Sequence, residues 1–156
     1  MISIIQRVSQ AKVTVAGVDI GVINQGIMAL LAVERNDTQQ QADRLLERIL
    51  NYRIFADDND KMNLSLRDIH GGLLIVPQFT LAADTEKGNR PSFGPSAPPE
   101  MGLALFNYVQ QQAISLYPGC QFGQFGADMQ VALINDGPIT FTLRCQNKAS
   151  TNQAPC

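Results

Sequence analysis

Tryptophan is absent from this 156-residue chain and histidine occurs once, as His70. A single histidine excludes any mechanism that needs two, which removes HExxH zinc proteases and two-histidine iron sites. Cysteine is scarce and odd in number. Cys120, Cys145 and Cys156 have no CxxC spacing, so neither a disulfide framework nor a zinc site is indicated. No metal or other cofactor is expected, and a reducing cytoplasm is the expected compartment. The longest apolar run, residues 27–33, falls far below the roughly 20 residues that span a bilayer. The first fifteen residues lack a basic stretch followed by an apolar core, so no signal peptide is expected. Charge is also low, at 17% of residues and a net -2, with a pI of about 5.2. Proteins that coat nucleic acid by bulk charge usually have a pI above about 9.

What is present fits one globular domain. Hydrophobic residues make up 45% of the chain, too many for a disordered one. The length lies near the usual domain size of about 100–150 residues. Residues 2–15 are rich in β-branched side chains, and Val13 and Val15 alternate with Lys12 and Thr14 as in a half-buried strand. Residues 18–20 read as a short returning strand and residues 27–33 as a buried one. Asp37 or Thr38 can cap a following helix, with Ala42, Leu45, Leu46 and Ile49 on its core face. Residues 53–55 read as a short strand. The acidic run at Asp57, Asp58 and Asp60 lacks the later glutamate and loop glycine of an EF-hand, so it reads as a solvated turn. Residues 62–66 alternate, and residues 73–76 form a buried strand that ends at Gln78, Phe79 and Thr80.

Residues 82–99 are loop-like and rich in glycine and proline, long for a compact domain. Pro98 or Pro99 opens a second helix that reaches about Tyr117. Residues 122–134 and 139–145 read as two strands joined by an Asn135-Asp136-Gly137-Pro138 turn. The expected fold is therefore one α/β domain over residues 1–145. It has about seven short strands in a mixed, mostly antiparallel, barrel-like sheet, and two main helices. Residues 146–156 are a polar tail expected to fray.

Conventional active sites are missing. His70 sits beside Gly71-Gly72 in what reads as an exposed turn, and no GxSxG, Walker A or GxGxxG motif occurs. Two polar constellations remain. Gln78 and Thr80 stand at a strand end before the long loop, where polar side chains commonly line a pocket. On these residues alone, a strand end whose polar groups satisfy local backbone is the better reading. Pro138, after the Asn-Asp-Gly turn, lacks a backbone donor and restricts Gly137. A cis bond there cannot be deduced, because only about 5–6% of X-Pro bonds are cis.

Several segments together carry a resemblance. They are residues 77–85 (PQFTLAADT), Gly88 with Arg90-Pro91-Ser92-Phe93, residues 127–131 (ADMQV) and residues 135–141 (NDGPITF). Residues 5–8, 52–55 and 61–64 agree in order and spacing. The chain thereby resembles the D-aminoacyl-tRNA deacylases over about residues 1–145. The resemblance implies hydrolysis of the ester joining a D-amino acid, or glycine mischarged on tRNA(Ala), to the 3′ end of tRNA. It implies a homodimer with its active sites at the subunit interface. There, Gly137 and Pro138 of one subunit, joined by a cis bond, enter the pocket of the other as a chirality filter. It assigns Arg7 to orienting that Gly-Pro segment, and Phe79, Phe125 and Met129 to an adenosine pocket. Amides near Phe79 and Thr80 would face the ester carbonyl.

The sequence departs from the family pattern at two places. Pro77 stands where a serine is usual, which removes a hydroxyl and a backbone N–H. Gly126 replaces the usual alanine. Thr80 has no histidine to activate it, and an unactivated hydroxyl is a poor nucleophile. The expected mechanism is instead substrate-assisted, with the ribose 2′-hydroxyl helping to position water and Gln78, Phe79 and Thr80 positioning the ester. Pro77 also motivates an alternative, a dimeric tRNA 3′-end binding module with weakened catalysis. A general small-ester hydrolase is disfavoured by the missing triad.

Overall fold

A computed structural model describes residues 1–146. The expected frayed tail lies, but for Gln146, outside the described residues, as does Cys156. The elements are β1 (Ile2–Val15), β2 (Val18–Ile23), β3 (Gly26–Ala32), α1 (Gln39–Asn51), β4 (Phe55–Ala56), β5 (Met62–Leu64), α2 (Leu66–Ile69), β6 (Gly72–Pro77), α3 (Pro99–Leu116), β7 (Gln121–Phe122) and β8 (Met129–Arg144). A 3-10 helix, Phe79–Ala82, follows β6.

The main sheet is mixed and nearly closes into a barrel. β1 pairs antiparallel with β2, β3 and β8, while β3, β6 and β7 run parallel. β3 and β6 are apolar throughout because both of their faces are covered. Ile27, Ala29, Leu31, Leu73 and Ile75 join the helices in one core cluster. Met28, Leu74 and Val76 point the other way, into the barrel with Val8 and Val13. The expected stripe of α1, Ala42, Leu45, Leu46 and Ile49, is wholly buried in the first cluster. Thr38 is its N-cap, with its amide donating to Gln41 Oε1 at 2.9 Å.

Four expectations need correction. Residues 122–134 are not one strand, since β7 ends at Phe122 and β8 begins only at Met129. Residues 62–66 are not one strand. β5 stops at Leu64, and Ser65 caps α2 by accepting the Asp68 amide at 3.3 Å. The strands are not uniformly short, since β1 has 14 residues and β8 has 16. Most consequentially, residues 135–138 are not a hairpin turn. The chain does not reverse there. β8 runs antiparallel to β1 before and after, with Val8 opposite Asn135 and Gln6 opposite Thr140. Residues 136–139 therefore stand opposite the single residue Arg7, as an enlarged bulge within one strand. Pro138 offers no donor to the ladder, and Gly137 adopts a φ of 118°, so the segment leaves the pairing plane.

Candidate active site

The cavity of interest has a volume of about 510 Å³ and lies where β6, α3 and the start of β8 meet. Leu31, Val33, Val76 and Phe106 form its apolar wall. Pro77, Gln78, Phe79, Phe125 and Met129 line it as well. Three separated segments thus converge on one concave surface, apolar with a few polar groups, as ligand sites usually are.

Local structure explains how they meet. β6 ends at Pro77, and Gln78 continues the pairing by donating its amide to the Leu31 carbonyl at 2.8 Å. The chain then turns into the 3-10 helix, which carries Phe79 and Thr80 outward. Both are exposed, Phe79 at 59%. Gln78 Nε2 donates to Thr80 Oγ1 and so ties the two polar side chains together. Gly123 admits Met129 and Pro77, because a Cβ there would lie 2.9 Å from Met129 Sδ and 3.1 Å from Pro77 Cδ. The Gln124 amide donates to the same sulfur at 3.3 Å and holds it at the cavity edge. Phe125 packs at 6.2 Å between ring centroids on Phe106 of α3. Pro77 presents a ring to the wall, without a donor.

The bulge forms a second polar centre. The Gly137–Pro138 bond is cis. Asn135 closes the base of the bulge: its Nδ2 donates to the Arg7 carbonyl at 3.0 Å and the Ile139 carbonyl at 2.9 Å. Its Oδ1 accepts from Thr140 Oγ1 at 3.1 Å and Gln6 Nε2 at 3.4 Å. Arg7 lies alongside. Its Nε pairs with Asp136 Oδ2 at 3.0 Å and donates to the Asp136 carbonyl at 3.3 Å, while Nη1 donates to the Ile54 carbonyl at 2.9 Å. Gly137 and Pro138 themselves are exposed.

Gln78, Phe79, Phe125 and Met129 therefore share the cavity, and Arg7, Gly137 and Pro138 form a different group. Thr80 is attached to the first group through Gln78. The two groups are far apart along the strand that carries both. Met129 and Asn135 are six positions apart on β8, about 20 Å at about 3.3 Å per residue. Asn135 and Gln6 do not figure among the expected site residues, although their side chains close the bulge. The Asn-Asp-Gly-Pro string contains Asn135, but only pairing with β1, some 129 positions away in sequence, reveals its partners. His70 is exposed in a left-handed conformation at the end of α2 and does not line the cavity. Asp57 accepts the Asn59 and Lys61 amides and Asn63 Nδ2, which holds its carboxyl below the usual range through those hydrogen bonds, that from Asn63 first.

No helix among the described residues is long and apolar enough to cross a membrane. A sequence profile of the D-Tyr-tRNA(Tyr) deacylase family matches residues 4–144. A D-aminoacyl-tRNA deacylase of Nitrosococcus oceani is 58% identical over 144 residues, which cover 92% of this chain and 93% of that protein. A Pseudomonas putida protein of the same name is 56% identical, covering 92% and 99%. Among solved structures, the c-Myc DNA unwinding element binding protein superposes with a TM-score of 0.90 at 38% identity, over 94% of this chain and all of that one. A probable eukaryotic D-amino acid tRNA deacylase shares the fold, with a TM-score of 0.80 at 17% identity, over 91% and 97% of the two chains. With both the profile and these relatives spanning nearly its whole length, this chain belongs to the D-Tyr-tRNA(Tyr) deacylase family.

Proposed function

We propose that this enzyme hydrolyses the ester between a D-amino acid and the 3′ end of tRNA, in a homodimer whose subunits complete each other's sites. The observation that carries the arrangement is the separation just described. The Gly137–Pro138 bulge is exposed and braced, yet its base at Asn135 lies about 13 Å along β8 from Val131, the last residue of that strand to line the cavity. One chain cannot bring its own bulge to its own cavity, whereas a second copy can present its bulge there. Such a braced projection keeps its geometry on entry, so little ordering cost accompanies association.

Within the composite site, Phe79, Phe125 and Met129 hold the terminal adenosine. The partner's Gly137 and Pro138 carbonyls accept from the substrate amino group. With the amino group fixed, only a D side chain points away from the bulge, and an L side chain collides with it. Glycine has no side chain to exclude, so glycine mischarged on tRNA(Ala) also passes. Arg7 and Asn135 act one step removed, by keeping the bulge in place.

The chemistry falls to water and the substrate. The vicinal 2′-hydroxyl of the ribose positions a water whose oxygen attacks the ester carbonyl carbon. The carbon–oxygen bond to the ribose 3′ oxygen then breaks, and that oxygen takes up a proton. The Phe79 and Thr80 amides open the 3-10 helix, where first-turn N–H groups have no partner within the helix. They stabilise the developing oxyanion, an effect worth about 10²–10³ in rate per donor in enzymes of this kind of chemistry. Thr80, bonded to Gln78, positions rather than attacks. The reaction needs aminoacyl-tRNA, which points to the cytoplasm as its setting.

Pro77 favours a second reading, a 3′-end binding module that turns over slowly, since the ring contributes no donor where a serine is usual. Incubation with D-tyrosyl-tRNA separates the two. Release of D-tyrosine with multiple turnovers supports the enzyme, and stoichiometric binding with the ester intact supports the module. Sedimentation at micromolar concentration tests the dimer, and a clean monomer would sink the composite site.

A further inference from the structure

The loop beyond the cavity carries features that the reading above leaves unused. Phe93 is 43% exposed and packs on Phe79 with ring centroids 5.2 Å apart, tilted at 51°. Two exposed aromatic rings in contact are unusual on a protein surface, where such rings mark binding sites. Their position is fixed from behind. Arg35 Nε donates to the Gly94 carbonyl at 3.0 Å, and the Arg35 amide donates to Pro95 at 2.9 Å. Ser96 Oγ donates to the Phe79 carbonyl at 3.4 Å, and the Ala97 amide to Val33 at 3.0 Å. On the other side of Phe93, Asp84 and Ser92 exchange both backbone hydrogen bonds, at 2.8 and 2.9 Å, and close a small loop. Lys87 and Arg90 project from it. Both are exposed, and among the described residues neither makes a hydrogen bond or ion pair. Asp84 and Glu86 share the loop, so any attraction to an anion depends on where the cations stand, not on net charge.

We infer that Phe93, packed on Phe79, extends the cavity into a stacking platform for the nucleotide preceding the terminal adenosine, with Lys87 and Arg90 supplying charge for the adjoining phosphates. The inference rests on the deacylase reading and adds to it a contact with the single-stranded end of the tRNA. The chemistry fits, because Phe79 belongs both to the cavity and to the aromatic pair. A strand leaving the cavity passes this pair first. Bases stack on aromatic rings whatever their sequence, and flanking cations take the backbone. That explains how a protein of net charge -2 holds RNA at one local point.

The test compares two substrates, D-tyrosyl-tRNA and 3′-O-(D-tyrosyl)adenosine, which lacks the preceding nucleotide. Phe93→Ala should lower kcat/KM about 10-fold on the tRNA, chiefly through KM, and about 2-fold or less on the adenosine ester. Phe93→Tyr should restore most of the loss. The double variant Lys87→Gln, Arg90→Gln should reduce the salt slope of log KM on the tRNA by about 1.4, from about 0.7 for each single-strand phosphate. Equal losses on both substrates, no loss on the tRNA, or conversion of Phe93→Ala to a monomer would each overturn the platform. A wild-type protein inactive on both substrates would instead overturn the deacylase reading, and the platform with it.

Discussion

Arg7 Nε stands 3.0 Å from Asp136 Oδ2, so the one residue opposite the bulge is also the residue that grips its first member. The same guanidinium reaches the Ile54 carbonyl at 2.9 Å and thereby links the bulge to the segment after α1. Under the proposed function Arg7 is a positioning residue, acting through residues 136–139. Arg7→Lys cannot make both contacts, because an ammonium lacks the planar fork. Deacylation should fall about 100-fold, the scale of an ångström-sized misplacement. The ion pair is half-exposed at Asp136 and contributes about 1 kcal/mol or less to stability. Single-turnover rates beside a denaturation curve check this; unchanged activity would remove Arg7 from the positioning role.

Gly137→Ala should be worse for the bulge. The φ of 118° is one that side chains rarely adopt, and a Cβ would lie 2.8 Å from Ile139 Cγ1 and 3.0 Å from Arg7 Nη2. Backbone strain of this kind costs about 1–3 kcal/mol. Activity should be lost and the urea midpoint should fall. A variant with wild-type midpoint and rate would contradict this geometry.

Asn135→Asp replaces a double donor by an acceptor. The Arg7 and Ile139 carbonyls then lose their partner and face a carboxylate. The loss should be about 1–3 kcal/mol, the usual penalty for groups left unsatisfied, and chemical denaturation measures it. Asn135→Asp should also lose D-selective activity, since the base of the bulge opens. Retained stability and rate would show that the latch is unnecessary.

Cys120 is expected to be inert in the native protein. Its thiol is buried and faces the Tyr117 carbonyl at 2.8 Å. Burial pushes its pKa up from 9.0 to about 11. The fold prefers the protonated thiol, so this contribution is whole below pH 9.0 and is lost as pH rises through about 11. At pH 8 a thiol reagent should modify Cys120 only after denaturant is added. Peptide mapping of the labelled protein decides it, and rapid native labelling of Cys120 would contradict its burial.

Much of the fold is legible in the chain because its signals are local. The alternation at Val13 and Val15, the stripe of α1 and the unbroken apolar residues of β3 and β6 each reflect the face that they bury. What failed to show is non-local or short. Asn135-Asp136-Gly137-Pro138 has the residues of a hairpin turn, and only the register along β1 distinguishes a bulge from a reversal. The four residues of α2 are too few for a helical period. Phe79 lies far along the chain from Phe125 and Met129, and Gly123 lets Met129 approach Pro77, two residues before Phe79. For the same reason Asn135 and Gln6 stayed hidden. Their partners are across the sheet, not along the chain.

The most direct measurement is the initial rate of release from matched D-tyrosyl-tRNA and L-tyrosyl-tRNA by the protein. Fast release of D-tyrosine with the L ester left intact is the expected result. Equal rates on the two, or no release of D-tyrosine, would contradict the assignment of Gly137 and Pro138 as the chirality filter of a deacylase.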